Sequence, residues 1–334
     1  MRNLYKIACC LIGLLPVGCA DHLPDNDTPQ EKPVTLEFDM YAADVEPQTK
    51  ASLGVNNILT PMAEETKFNV YAYSTGNSPE MIGHDIYTVV GDNKATGNLS
   101  LYRGNYNVYL ISNNTSLIDQ PTVGDDGLIR IDNGTDFMYN TLAEITVQPE
   151  SGGESNMSVP LSTPFTRLGS LINLSVKVSP DSPVAVEAIS VKSIKISNLS
   201  DPLSYKPGNT DWESLVENRY GGSLTVESFT KETEGTTNPD FKLIGEPAIV
   251  LPLDGKEDLV FDINLSITYS PAGTSTTEPF NYSVKTKKAL QKGMAYTFEF
   301  TLTFFGNLTP GDITLSAFGY STTDNLETDE IGDK

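Results

Sequence analysis

From Val34 onward the chain alternates apolar and polar positions with a period of two. Val34, Leu36, Phe38 and Met40 alternate with Thr35, Glu37, Asp39 and Tyr41, the pattern of a strand with one buried face. The rhythm returns in KFNVYAYS (67–74), HDIYTVV (84–90), NLSLYRG (98–104), NYNVYLIS (105–112) and within LSTPFTRLGSLINLSVKVS (161–179). It continues through AISVKSIKIS (188–197), GGSLTVESFT (221–230), EPAIVLPL (246–253), DLVFDINLSITYS (258–270) and PFNYSVKTKKA (279–289). AYTFEFTLTFFG (295–306) and GDITLSAFGYS (311–321) complete the series. Gly, Pro, Asn or Asp bounds each run, as turns require. Short strands at this spacing predict an all-β chain built of antiparallel sandwiches, not parallel α/β units. One short helix is expected over 209–222, capped by Asp211 and ended by Gly221. Trp212, the only tryptophan, falls in its first turn, where packing on a sheet is its ordinary role and stacking on a sugar its functional alternative.

Small polar residues interrupt the rhythm at QPESGGESNMS (148–158), which predicts a boundary between a sandwich at 34–160 and a second at 161–320. The last residues, 321–334, are acidic and carry little apolar surface, so they read as a fraying tail.

The other end of the chain has a different character. Arg2 and Lys6 precede an apolar run from Ile7 to Gly18, shorter than the roughly 20 residues needed to span a bilayer. Residues 1–18 therefore read as an export signal. The cysteines are Cys9, Cys10 and Cys19, so removal of the leader leaves Cys19 without a disulfide partner. Val17-Gly18-Cys19 resembles the lipobox of bacterial lipoproteins, in which the cysteine is acylated and becomes the new N-terminus. The position three before it, usually leucine, is Pro16, with Leu15 one place earlier; cleavage after Ala20 is the alternative. Residues 19–33 hold several acids and prolines and almost no apolar surface, the composition of an unfolded tether. An acidic stretch just after such a cysteine resembles the surface-export signals of Bacteroidota lipoproteins.

Charge and side-chain chemistry narrow the function further. The net charge is −22, which argues against nucleic-acid binding. The only histidines are His22, in the tether, and His84. No glycine-flanked serine elbow or mature-chain cysteine accompanies His84, which reads as a polar residue at the start of a strand. No Cys or His pair has zinc spacing, and no glycine-rich phosphate loop or dinucleotide fingerprint occurs. Asp125, Asp126, Asp132 and Asp136 lie in GDDGLIRIDNGTD (124–136), but without the twelve-residue calcium spacing and its terminal Glu. Asp-Gly and Asn-Gly are hairpin turn signals in their own right, so a turn is expected there, with no metal, no cofactor and no catalytic residue.

The lipobox, the acidic tether, the two successive sandwiches and several local phrases together resemble the fimbrillins, pilus subunits of Bacteroidales. The phrases are FNVYAYS (68–74), LYRGNYNVYLISNN (101–114), FTRLGSLINLSVKV (165–178) and AYTFEFTLTFFGNLTPGDITLSAFGY (295–320). The resemblance implies two Greek-key, transthyretin-like sandwiches, delivery to the outer membrane as a lipoprotein acylated at Cys19, and proteolytic removal of the first strand. That strand is Val34 to Ala43, with Val34, Leu36, Phe38 and Met40 facing inward; the donor that refills its groove in a neighbouring subunit is Gly311 to Tyr320, through Ile313, Leu315 and Ala317. The cut is implied in ADVEPQTKASLG (43–54). No Arg lies between Cys19 and Arg103, so Lys50-Ala51 is the basic bond in that loop. The implied partners are other pilus subunits, the outer membrane through the lipid, and a host or bacterial surface ligand; the implied location is the cell surface. An uncut strand implies instead an anchor or accessory subunit. A non-polymerising surface lipoprotein that holds glycans for an uptake system is the alternative from a different class.

Overall fold

A computed structural model describes residues 33–39, 41–45, 57–91, 94–117, 120–148, 156–161, 165–178, 186–207, 220–231, 242–270, 274–303 and 307–317. All regular structure among the described residues is β, in 23 strands. The helix expected over 209–222, and Trp212 with it, lies outside the described residues apart from 220–222.

The first part of the chain makes one nine-stranded sheet. Its order is β11 (Asn156–Val159), β1 (Val34–Asp39), β6 (Lys94–Thr96), β5 (Met81–Val90), β4 (Lys67–Ser74), β8 (Gly104–Thr115), β10 (Met138–Val147) and β12 (Thr166–Arg167), with β7 (Ser100–Leu101) also on β1. Residues from both ends of this order, such as Leu36 and Val159 on one side and Val108 and Met138 on the other, share one buried cluster. The sheet therefore folds over itself around that core. Phe165 belongs to the same cluster and meets Phe68 edge-on at 5.8 Å. A separate pair, β2 (Tyr41–Val45) and β3 (Asn57–Pro61), forms a hairpin after β1.

The later part is a two-layer sandwich. One layer runs β17 (Phe229–Lys231), β18 (Leu243–Gly245), β13 (Ser170–Val178), β22 (Met294–Thr303) and β23 (Asn307–Ala317), with β19 (Ala248–Val250) also on β13. The other runs β16 (Gly222–Val226), β14 (Val186–Leu199), β20 (Asp258–Tyr269) and β21 (Thr276–Lys287). Ile172, Leu174 and Val176 from the first layer meet Ile194, Ile196, Phe261 and Ile263 from the second, as alternation along each strand requires. Phe261 lies 4.8 Å from Phe298 and 5.3 Å from Phe300, ring to ring. The pairings are antiparallel except for β1 with β11 and β13 with β22. Parallel neighbours need long crossovers, so these two pairings tie together segments far apart in sequence.

A third cluster joins the two parts. Tyr71, Tyr109, Ile129, Ile131 and Phe137 pack with Leu203, Tyr205 and Leu251. There β9 (Ile129–Ile131) pairs with β15 (Leu203–Tyr205). Asn133 pins the junction: its Nδ2 donates to the Ser200 carbonyl at 2.8 Å, and its Oδ1 accepts from the Leu251 amide at 2.9 Å.

Candidate functional site

The alternation predicted for the first strand is present in β1. Val34, Leu36 and Phe38 are each at most 2% exposed, whereas Thr35 and Glu37 are half-buried. Burying side chains of this size stabilises by about 1.5–3 kcal/mol each. Leaving the slot empty would therefore expose a continuous apolar groove.

The backbone of β1 is held by several short ladders. On one flank β11 runs parallel to it, pairing Thr35 with Asn156 through Phe38 with Val159. On the other flank β7 pairs with Val34 and Thr35, and β6 with Phe38 and Asp39, both antiparallel. Between these two the registers disagree. β1 advances 38 − 35 = 3 residues while its partner advances 100 − 95 = 5, so the partner carries two extra residues as a bulge.

The bulge changes who satisfies β1. The Leu36 amide still reaches the Leu99 carbonyl at 3.1 Å. The Leu36 carbonyl, which a ladder N–H would otherwise meet, instead accepts the Tyr87 hydroxyl at 2.8 Å. Tyr87 comes from β5, is fully buried, and lies edge-on to Phe38 with ring centroids 5.2 Å apart. Burial pushes its phenol well above the ordinary tyrosine value of 10.0. A Cβ on Gly97 would sit 2.5 Å from the Tyr87 ring, so glycine in the bulge is what lets the ring pass. Asp85 accepts from the Asn98 amide at 2.5 Å and holds the bulge in shape.

The expected donor positions lie in β23, which among the described residues is the outermost strand of its sheet and pairs with β22 alone. Ile313, Leu315 and Ala317 are registered opposite Phe298, Tyr296 and Met294. Met40, Cys19, Lys50 and Ala51 lie outside the described residues, as do the leader, the tether up to Lys32 and the tail.

The residues weighed for other chemistry have structural employment. His84 stacks on Tyr71, 5.5 Å away and 10° from parallel. Asp126 bonds Arg130 at 2.8 Å and accepts the Leu128 amide, closing the turn whose Gly127 has φ of 75°. Asp136 pairs with Arg167 and accepts from Asn114 Nδ2 at 2.7 Å. Asp125 and Asp132 point to solvent. Among the described residues no group of three or more His, Cys, Asp or Glu is placed to hold a metal ion.

Sequence reasoning missed Tyr87 and β11. HDIYTVV reads as a strand, but nothing local in it marks the bulge that makes the Tyr87 hydroxyl a substitute for a ladder amide.

An all-β chain built on this plan has solved counterparts. A candidate cell adhesion protein of Bacteroides fragilis superposes with a TM-score of 0.53 at 14% identity, over 87% of this chain and 99% of its own. A second, from Parabacteroides distasonis, gives 0.50 at 12% identity, over 88% and 99%. The fimbrial anchor protein Mfa2 of Porphyromonas gingivalis is more distant, with a TM-score of 0.39 at 13% identity over 86% and 98%, too remote to carry an argument. No protein-family model and no curated protein matches the sequence. The fold is therefore shared with Bacteroidales proteins named for cell adhesion, which is consistent with the fimbrillin resemblance.

Proposed function

We propose that the protein is a structural or adhesive subunit of a cell-surface pilus, exported as a lipoprotein through Cys19 and assembled by strand exchange. The observation that carries the proposal is β1 itself: an apolar strand near the start of the mature chain, buried inside a sheet, yet held by ladders of four, two and two residue pairs. Cutting at Lys50-Ala51, between β2 and β3, frees β1 and β2 together and leaves the groove for an incoming strand. The donor is β23, through Ile313, Leu315 and Ala317; an edge strand leaves its sheet at the cost of one ladder. The sandwiches at 34–160 and 161–320 act as acceptor and donor bodies, and other pilus subunits and the outer membrane are the partners. The adhesion names of the fold's counterparts support the surface role.

The lack of Arg between Cys19 and Arg103 favours, as a second reading, an uncut anchor that keeps its lipid. Holding glycans would need several exposed rings on one face. Among the described residues Tyr102 alone is an aromatic with a largely exposed ring.

Gels of material sheared from cells test the assembly. Strand exchange predicts a ladder in unheated detergent that collapses to one band on boiling. Recovery of lipid-bearing monomer alone would replace polymerisation with the anchor reading.

A further inference from the structure

The slot is selective as well as apolar. Its two walls differ in polarity: β11 parallel, β6 and β7 antiparallel. Parallel ladders have evenly slanted hydrogen bonds, antiparallel ladders have alternating narrow and wide pairs. A strand running the other way would meet each wall with the wrong spacing. Within the slot the bulge at 96–99 leaves one ladder donor missing, and the Tyr87 hydroxyl supplies it to the Leu36 carbonyl. A one-residue slip would turn the apolar side chains out of the core and present a different backbone group at that hydroxyl. Gly97 makes room for the Tyr87 ring and Asp85 bonds the Asn98 amide, two features of the bulge that lie outside β1 itself.

We propose that Tyr87, together with β11, selects the strand admitted to the β1 slot: one running in β1's direction, with branched, leucine and aromatic residues at alternate positions, whose middle carbonyl receives the Tyr87 hydroxyl. This rests on the strand-exchange reading and adds a direction, a register and a third-pocket preference. The aromatic requirement follows from the Phe38 ring seated edge-on against Tyr87. Read in the same direction and register, Ile313, Leu315 and Ala317 match Val34 and Leu36 but leave the Phe38 pocket short by a ring. A partner subunit with an aromatic at that third position is therefore the better occupant than a second copy of this chain.

The test uses the full chain with a protease site inserted between Gln48 and Asn56, cut after folding so that the first segment stays seated. Fluorescent peptides then compete for the slot: residues 33–45, the same composition in reversed order, residues 309–320, and residues 309–320 with Ala317→Phe. The native peptide and the A317F peptide are expected to bind at least about tenfold more tightly than the reversed and unmodified donor peptides, respectively. Replacing the Leu36–Glu37 amide by an ester weakens the acceptor carbonyl. The ester also removes the Glu37 N–H in both backgrounds, so its penalty should be roughly three- to tenfold larger in the native background than in Tyr87→Phe. If the variant folds poorly, the forward-against-reversed and A317F comparisons in the native background keep the selection falsifiable. Equal binding of forward and reversed peptides, no gain from A317F, or an ester penalty unchanged by Tyr87→Phe would overturn the selection while leaving strand exchange standing. Failure of every peptide to enter, the native one included, would overturn both.

Discussion

The first and last described strands lie at opposite kinds of position. β1 is six residues long, flanked on both sides and buried, whereas β23 is eleven residues long and paired along one side only. Each element of β1's hold is small: four parallel pairs, two and two antiparallel pairs, and one tyrosine hydroxyl. Its stability comes mostly from side chains, which a strand of the same direction and register with suitable side chains would supply. β23 has the complementary economy, with a long ladder on one neighbour and none on the other. The difference teaches that a strand can be central to a core and still be held by only short ladders. The C-terminal sandwich differs in its central strands, since β13, β14, β20 and β22 have long ladders on β22, β20, β21 and β13.

The largest expected effect contrasts the two cores. Phe38→Ala and Phe261→Ala should each cost about 3–5 kcal/mol in denaturant unfolding of the uncut chain. After cutting and refilling of the slot by a native peptide, the Phe38→Ala cost should vanish and the Phe261→Ala cost persist. Persistence of both would mean that β1 is a permanent part of the core. Next comes the junction of the two parts: Asn133→Ala removes two hydrogen bonds across it and should cost about 2 kcal/mol. A second transition appearing in calorimetry would show that this residue couples their unfolding.

Gly97→Ala sharpens the account of the slot. A methyl group against the Tyr87 ring should destabilise the chain by about 1–2 kcal/mol, and combination with Tyr87→Ala should relieve much of the loss. Independent, additive costs would separate Gly97 from Tyr87. Alkaline titration reads the same buried phenol. Burial raises its folded-state value, so the unfolded chain loses that proton first. The folded state's advantage is constant below pH 10 and falls as pH rises above 10.0 toward the raised value. Tyr87→Phe should flatten that fall, and an unchanged slope would assign it to the other phenols that burial raises, those of Tyr71, Tyr73, Tyr282 and Tyr296. The smallest effect belongs to the turn at 124–128. Asp126→Asn breaks an exposed pair with Arg130 and should cost less than about 1 kcal/mol, with no effect of added calcium on stability.

Much of this architecture was legible in the period-two pattern. KFNVYAYS is β4 at the residues expected, and DLVFDINLSITY is β20. Where alternation breaks, legibility ended. β10 was not anticipated, because its register shifts between Leu142 and Ile145, with Glu144 at φ of 54°, which blurs the alternation. NLSLYRG reads as one strand over 98–104, but before β8 begins at Gly104 only Ser100 and Leu101 are strand, and Asn98 and Leu99 belong to the bulge that admits Tyr87. β9 and β15 are three residues each, too short for any periodicity, and find their partners only across the junction. The candidate site divides similarly. The inward triplet of β1 could be read locally, whereas its parallel neighbour β11, over a hundred residues later, could not, since pairing partners leave no mark on either strand alone.

The N-terminus of the assembled protein tests the central claim most directly. Mass spectrometry of fibres sheared from native cells should find chains beginning at Ala51, without residues 34–45 and without acylated Cys19. Fibres whose every subunit retains lipid and the Val34–Asp39 strand would contradict a replaceable first strand.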